Sequence, residues 1–230
     1  MTTSGTSSFT LDLTDILEEA FERAGSEMRT GYDLKTARRS LNLMFADWAN
    51  RGINLWTVDE GSIDLIAGVG TYNLPADTVD LLEHVVRTNA GQTANQADLS
   101  CSRISVSTYS SIPNKLTTGR PIQVYIDRQA PVPTVNLWPV PDSNQPYKLV
   151  YWRLRRIQDA GNGVNTMDVP FRFLPCMVAG LAYYIALKIP NGYARLGDLK
   201  MMYDEAWDLA ASEDRDKSSI RFVPRYTAIR

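Results

Sequence analysis

The spacing of apolar residues changes twice along the chain, and this limits the folds open to it. Near the start, TDILEEAFERA (14–24) places Ile16, Leu17, Ala20, Phe21 and Ala24 on one helical face. Asp15 with Glu18 suits a capped start, and Gly25 suits a left-handed end. DLKTARRSLNLMFADWANR (33–51) repeats the pattern through Leu34, Ala37, Leu41, Phe45, Trp48 and Ala49, with Gly52 as the stop. Two helices joined by a short loop predict an antiparallel pair.

The period then drops to two. INLWTVDEGSIDLI (53–66) reads as short apolar runs around an acidic, glycine-containing turn, and GVGTYNLPAD (68–77) as strand-like. Leu81, Leu82, Val85 and Val86 fit either a strand or one helical turn. NAGQTANQADLS (89–100) reads as an exposed polar loop. RPIQVYIDR (120–128) alternates Ile122, Val124 and Ile126 with Gln123, Tyr125 and Asp127. TVNLWPVP (134–141) and YKLVYWRL (147–154) predict two more strands, separated by the turn composition of PDSNQP.

The end returns to helix. After a loop at 160–168, VPFRFLPCMVAGLAYYIALKI (169–189) is apolar nearly all round, which predicts packing on more than one side. Pro175 fits only near the start of that helix. A last helix from about Tyr193 to Lys217 is expected to bury Leu196, Leu199, Met202, Tyr203, Ala206, Trp207 and Ala210. The expected fold class is therefore α+β: an antiparallel helical bundle made by the N- and C-terminal helices, a central β-rich domain inserted into it, and an extended C-terminal tail. The expected divisions are a flexible stretch 1–10, a helical bundle of 11–53 plus 158–217, a β-rich domain 54–157 and a tail 218–230.

Chemistry is sparse. The formal net charge of −2 argues against a dedicated nucleic-acid coat. Cys101 and Cys176 have no CxxC spacing and read as small buried side chains. His84 is the only histidine, and Glu83 beside it would point the opposite way on a strand. Carboxylate pairs such as Asp59 with Glu60, or Asp77 with Asp80, are nominal, because 26 acids always furnish some pair. GVG (68–70) and GNG (161–163) lack the rest of a dinucleotide loop, and no GK[ST] is present. No cofactor or metal is expected. Neither a secretory leader nor an apolar run of eighteen residues is visible, so no membrane partner is expected. The best internal basic patch is WRLRR, with Arg153, Arg155 and Arg156 as contacts for phosphate or for an acidic surface.

The tail SSIRFVPRYTAIR (218–230) stands apart. It mixes Phe222, Val223, Tyr226 and Ile229 with Arg221, Arg225 and Arg230, and holds no acid. Pro224 interrupts any helix there. The helix before it is acidic, with seven acids against three bases between Asp198 and Lys217. An apolar cationic strap suits a protein that holds a neighbour, with Phe222 and Tyr226 as anchors.

Taken in order, several stretches resemble the head-to-tail adaptor (connector) proteins of short-tailed bacteriophages. They are LKTARRSLNLMFADWANRGINLWTVDEGSIDLIAGVGTYNLPADTVDLLEHVV (34–86), TTGRPIQVYIDRQ (117–129), VNLWPVPDSNQPYKLVYWRLRRIQDAG (135–161) and VPFRFLPCMVAGLAYYIALK (169–188), followed by the cationic tail. The resemblance implies a non-enzymatic homo-oligomeric ring, typically of twelve copies, beneath the portal protein at the head–tail junction of the virion, assembled in the host cytoplasm. It implies that double-stranded DNA passes through the lumen. It also implies that the β-rich stretch 117–157 faces distal tail components such as a nozzle, a hub or tail fibres. Carried over by position, portal docking falls on Arg221, Phe222, Val223, Pro224, Arg225, Tyr226, Ile229 and Arg230. Three other readings remain open: a ring-forming tail or virion scaffold that does not touch the portal, a carboxylate-dependent hydrolase, and a basic nucleic-acid binder acting through WRLRR and the tail.

Overall fold

The computed structural model describes residue 5 and residues 11–29, 31–52, 55–161, 166–190 and 192–215. The strap 218–230, with all its candidate docking residues, lies outside the described residues, as does nearly all of 1–10. Helices and two β-sheets are both present, so the chain is α+β. It divides into two compact units, one of residues 1–40 with 170–230 and one of residues 41–169.

The first unit is helical. Helix α1 (Leu13–Ala24) starts one residue before the expected 14, and its cap is Asp12 rather than Asp15: the Asp12 carboxylate accepts the Asp15 N–H at 2.9 Å. Asp15 instead occupies the first turn, where a negative charge favours the helix dipole. Gly25 closes the helix in the left-handed region, at φ 83°. Helix α2 (Gly31–Asn50) contributes its first ten residues to this unit. Helix α4 (Leu174–Ala186) carries Pro175 in its first turn, where the missing N–H is harmless. Its buried residues run almost continuously from Cys176 to Ala182 and on to Ile185 and Ala186. The cause is double contact: α1 packs on one side of α4, and helix α5 (Leu196–Glu213) on another. Thus α4, rather than α2, is the principal partner of α1. Lys188, just beyond α4, donates to the Thr36 carbonyl and to Ser40 Oγ, tying α2 to the end of α4. Ion pairing between Arg172 and the buried Asp214 joins the entry of α4 to the end of α5.

The second unit holds the sheets. One has the order β1 (Val58–Leu65), β8 (Tyr147–Arg155), β3 (Thr78–Thr88), β4 (Ala97–Ser100), with every neighbour antiparallel. The other has the order β2 (Thr71–Asn73), β7 (Thr134–Trp138), β6 (Gln123–Asp127), β5 (Ser102–Arg103), and only the β5–β6 pair is parallel. Their inner faces share one core. Leu81, Val86, Tyr147, Leu149 and Tyr151 come from the first sheet, and Val124, Ile126, Val135 and Leu137 from the second. A short helix, α3 (Val106–Ser110), follows β5 and is capped by Ser105.

Further expectations change, and one left open is settled. No turn forms at Gly61: β1 runs straight through it, because Gly61 pairs with Tyr151 and leaves room for that ring. The polar stretch 89–100 is not all loop, since its last four residues form β4 against β3. Residues 81–86 are strand, within the long bulged β3. Met202 is not on the buried side of α5. Leu199, Tyr203 and Ala210 define that side, whereas Met201, Met202 and Leu209 are 56%, 45% and 72% exposed.

Candidate functional site

The expected basic patch sits at the outer end of β8, and the structure surrounds it with carboxylates. Arg153 reaches Asp77 at 2.5 Å and Asp59 at 3.4 Å. Arg155 reaches Asp59 at 3.1 Å and also pairs with Asp168. Both side chains are only 14% exposed. Arg156 donates to the Ala76 carbonyl at 2.6 Å. These arginines fasten the 156–168 segment and the β3 entry to the sheet. Trp56 adds to the same cluster by donating its indole N–H to the Asp168 carbonyl.

The same geometry bears on acid–base chemistry. Asp77 lies below the usual carboxylate range because Arg153 hydrogen-bonds it. A general acid needs the opposite shift. Asp80 is held by Arg103 at 2.8 Å and by Arg128 at 3.4 Å. Glu60 neighbours Asp59 on β1, so their side chains leave opposite faces of the sheet.

His84 faces inward opposite Tyr151, in line with buried Val86 and Thr88. Neither ring nitrogen makes a hydrogen bond of normal geometry. Burial pushes its pKa down, and the nearby Cys101 backbone offsets part of that effect. The two residues are thus neighbours, as a Cys–His pair would need. Yet burial pushes the Cys101 thiol up to about 12, so it stays protonated and a poor nucleophile. Both cysteines are free and buried. Among the described residues, no cluster of three metal-ligating side chains occurs, and no helix is long and apolar enough to cross a membrane.

What the surface offers instead is places to be touched. On α5, Met201, Met202 and Leu209 fall within about 100° of helix circumference, flanking the side that buries Leu199, Tyr203 and Ala210. A groove of about 480 Å³ runs between α1 and the start of α4. A second cleft of about 410 Å³ lies between the last ten residues of α2 and the strand-flanking residues Val79 and Ile157. Acidic side chains of α1 flank the first, and apolar side chains make most of the second.

The family model for SU10 adaptor protein matches residues 11–225. The chain belongs to the SU10 adaptor family. It is accordingly a phage adaptor, as the resemblance of its ordered stretches to head–tail adaptors implies, and its place is with the virion. Membership of a structural adaptor family points to a role in assembly rather than catalysis. No curated protein matches the chain. Sequence reasoning missed the α5 stripe and the α1–α4 groove. The stripe was hidden because α5 is apolar on two sides, and the groove because it needs two helices distant in sequence.

Proposed function

We propose that this SU10 adaptor forms a ring, of about twelve copies as in the adaptors it resembles, beneath the portal protein, and that it continues the DNA channel toward the tail. The observation that carries this reading is the family match across 11–225, which spans helices and sheets together. In this reading the helices form the bundle of residues 11–53 and 158–217, residues 54–157 form the β-rich domain, and its stretch 117–157 faces the distal tail. The strap 218–230 grips the portal through Phe222 and Tyr226, with Arg221, Arg225 and Arg230 adding hydrogen bonds.

The α5 stripe supports self-association. A closed ring needs two different complementary faces on each subunit, and exposed Met201, Met202 and Leu209 supply apolar area for one of them. Arg153 and Arg155, held by Asp59, Asp77 and Asp168, leave little free cation at the end of β8 to retain passing DNA.

Electron microscopy of the protein mixed with its portal ring tests the reading. Rings with the adaptor stacked on one portal face are expected, and deletion of 218–230 should abolish attachment while leaving a folded body. An intact chain that never binds portal would sink the proposal. Attachment that survives the deletion would move the docking surface elsewhere.

A further inference from the structure

The groove between α1 and α4 has an apolar floor and an acidic wall. Leu174, Pro175 and Val178 from the start of α4 make the floor. Asp15, Glu18 and Glu22, spaced on one face of α1, make the wall. The one base on this wall, Arg23, is engaged by Glu19 at 2.7 Å. Among the described residues, no lysine or arginine pairs with Asp15, Glu18 or Glu22. Apolar floor and unpaired acids together call for a segment that is apolar, basic and free of acids.

The chain contains such a segment, and the last described residues, Asp214 and Arg215, lie at the entry of α4, the helix whose first turn lines the groove. Asp214 is tied to Arg172, two residues before the floor residue Leu174. Phe173 packs edge-on against Trp207 of α5, with ring centroids 5.8 Å apart, which holds the second half of α5 against the entry of α4. Beyond Asp216 the sequence has Lys217, Arg221, Arg225 and Arg230 and no acid, interleaved with Ile220, Phe222, Val223 and Tyr226. Six extended residues reach roughly 20 Å. The acidic wall from Asp15 to Glu22 is only about 10 Å long. Length, charge and apolar content all match.

We propose that residues 218–230 of the same chain dock in the α1–α4 groove of the free subunit. Phe222 or Tyr226 covers Leu174, Pro175 and Val178, and the strap arginines face Asp15, Glu18 and Glu22. The strap is thereby stored on its own body before it meets any partner. This parking does not depend on what the strap grips afterwards, so its failure leaves the portal reading untouched.

The test uses the full chain carrying Glu18→Cys and Phe222→Cys. The natural cysteines are both buried and compete little. Mild oxidation at high dilution is expected to give an intramolecular disulfide in the monomer. Adding Asp15→Lys and Glu22→Lys should lower its yield roughly ten-fold, because exposed opposite charges become like charges. Cross-linking only between chains would assign the groove to a second copy's strap and overturn the proposal. A missing cross-link, or one indifferent to charge reversal, would overturn it as well. A second readout avoids engineered cysteines: trypsin should cut after Arg221 and Arg225 several-fold more slowly in the unmodified chain than in the Glu18→Lys, Glu22→Lys variant. Equal rates would also overturn it.

Discussion

Tyr151 lays its ring across Gly61, the residue it pairs with on the neighbouring strand. A Cβ added to Gly61 would stand 2.6 Å from two ring carbons of Tyr151. Glycine inside a strand ordinarily weakens it. Here it lets a large aromatic side chain lie flat over β1 and fill the shared core. Gly61→Ala should therefore destabilise the protein by about 1–3 kcal/mol through overpacking. Tyr151→Ala should cost about 3–5 kcal/mol as a large-to-small core change. Urea unfolding measures both. The account fails if Gly61→Ala is neutral, because alanine is otherwise the better strand residue.

The arginine–carboxylate cluster at the end of β8 predicts acid sensitivity. Asp77 has its pKa lowered from the ordinary 3.8 by the Arg153 hydrogen bond. A depressed folded pKa gives stability that is present above pH 3.8 and lost as the pH falls through the lowered value. Asp77 is nearly half exposed, so its share is modest, under about 1 kcal/mol. Asp77→Asn should flatten that part of the pH–stability curve. Arg153→Met should cost more, because Asp59 and Asp77 both lose a partner. Urea midpoints between pH 5 and pH 3 give the comparison.

His84 predicts a separate window. Burial lowers its pKa from the ordinary 6.5, with Arg103 adding to the effect and Glu83 and the Cys101 backbone opposing it. The unfolded chain then binds a proton before the folded one does. Stability is full above pH 6.5 and declines as the pH falls toward the ring's lowered value. Replacing the ring by His84→Phe keeps an aromatic group in the sheet interior and removes the titration. The variant should lose the dependence between pH 7.5 and 5 that the parent shows. A parent with no slope there would contradict the buried, neutral ring.

The legible parts of this fold are those where one face is buried and the other wet. RPIQVYIDR alternates because β6 buries one face only, whereas the unbroken LVYW run of YKLVYWRL marks β8 as a central strand with Val150 buried on the side away from Leu149 and Tyr151. Edge strand β4 escapes notice because it has one neighbour and only Leu99 is turned inward, so ADLS looks like loop. Gly61 reads as a turn because its reason for being there, the Tyr151 ring, lies ninety residues away. A like distance hides the tie of Arg155 to Asp59, and a loop of a dozen residues hides its tie to Asp168, so WRLRR looks like a free basic patch. For the candidate surfaces, charge and apolar content of the strap can be read directly, but the groove that complements it exists only once α1 and α4 pack.

The outward stripe of α5 gives the most direct test of self-association. Met201, Met202 and Leu209 are exposed, and the buried side of the helix already supplies the packing that holds the unit together. Met201→Glu with Leu209→Glu should then change folding stability by no more than about 0.5 kcal/mol each, as surface substitutions do. At a subunit interface the same pair would bury two charges without partners, costing several kcal/mol per contact. Thermal unfolding of the isolated variant should match the parent. Ring formation on the portal, scored by electron microscopy, should be lost or become incomplete. Intact rings from a normally folded variant would take α5 out of the subunit contact and leave ring closure to another face.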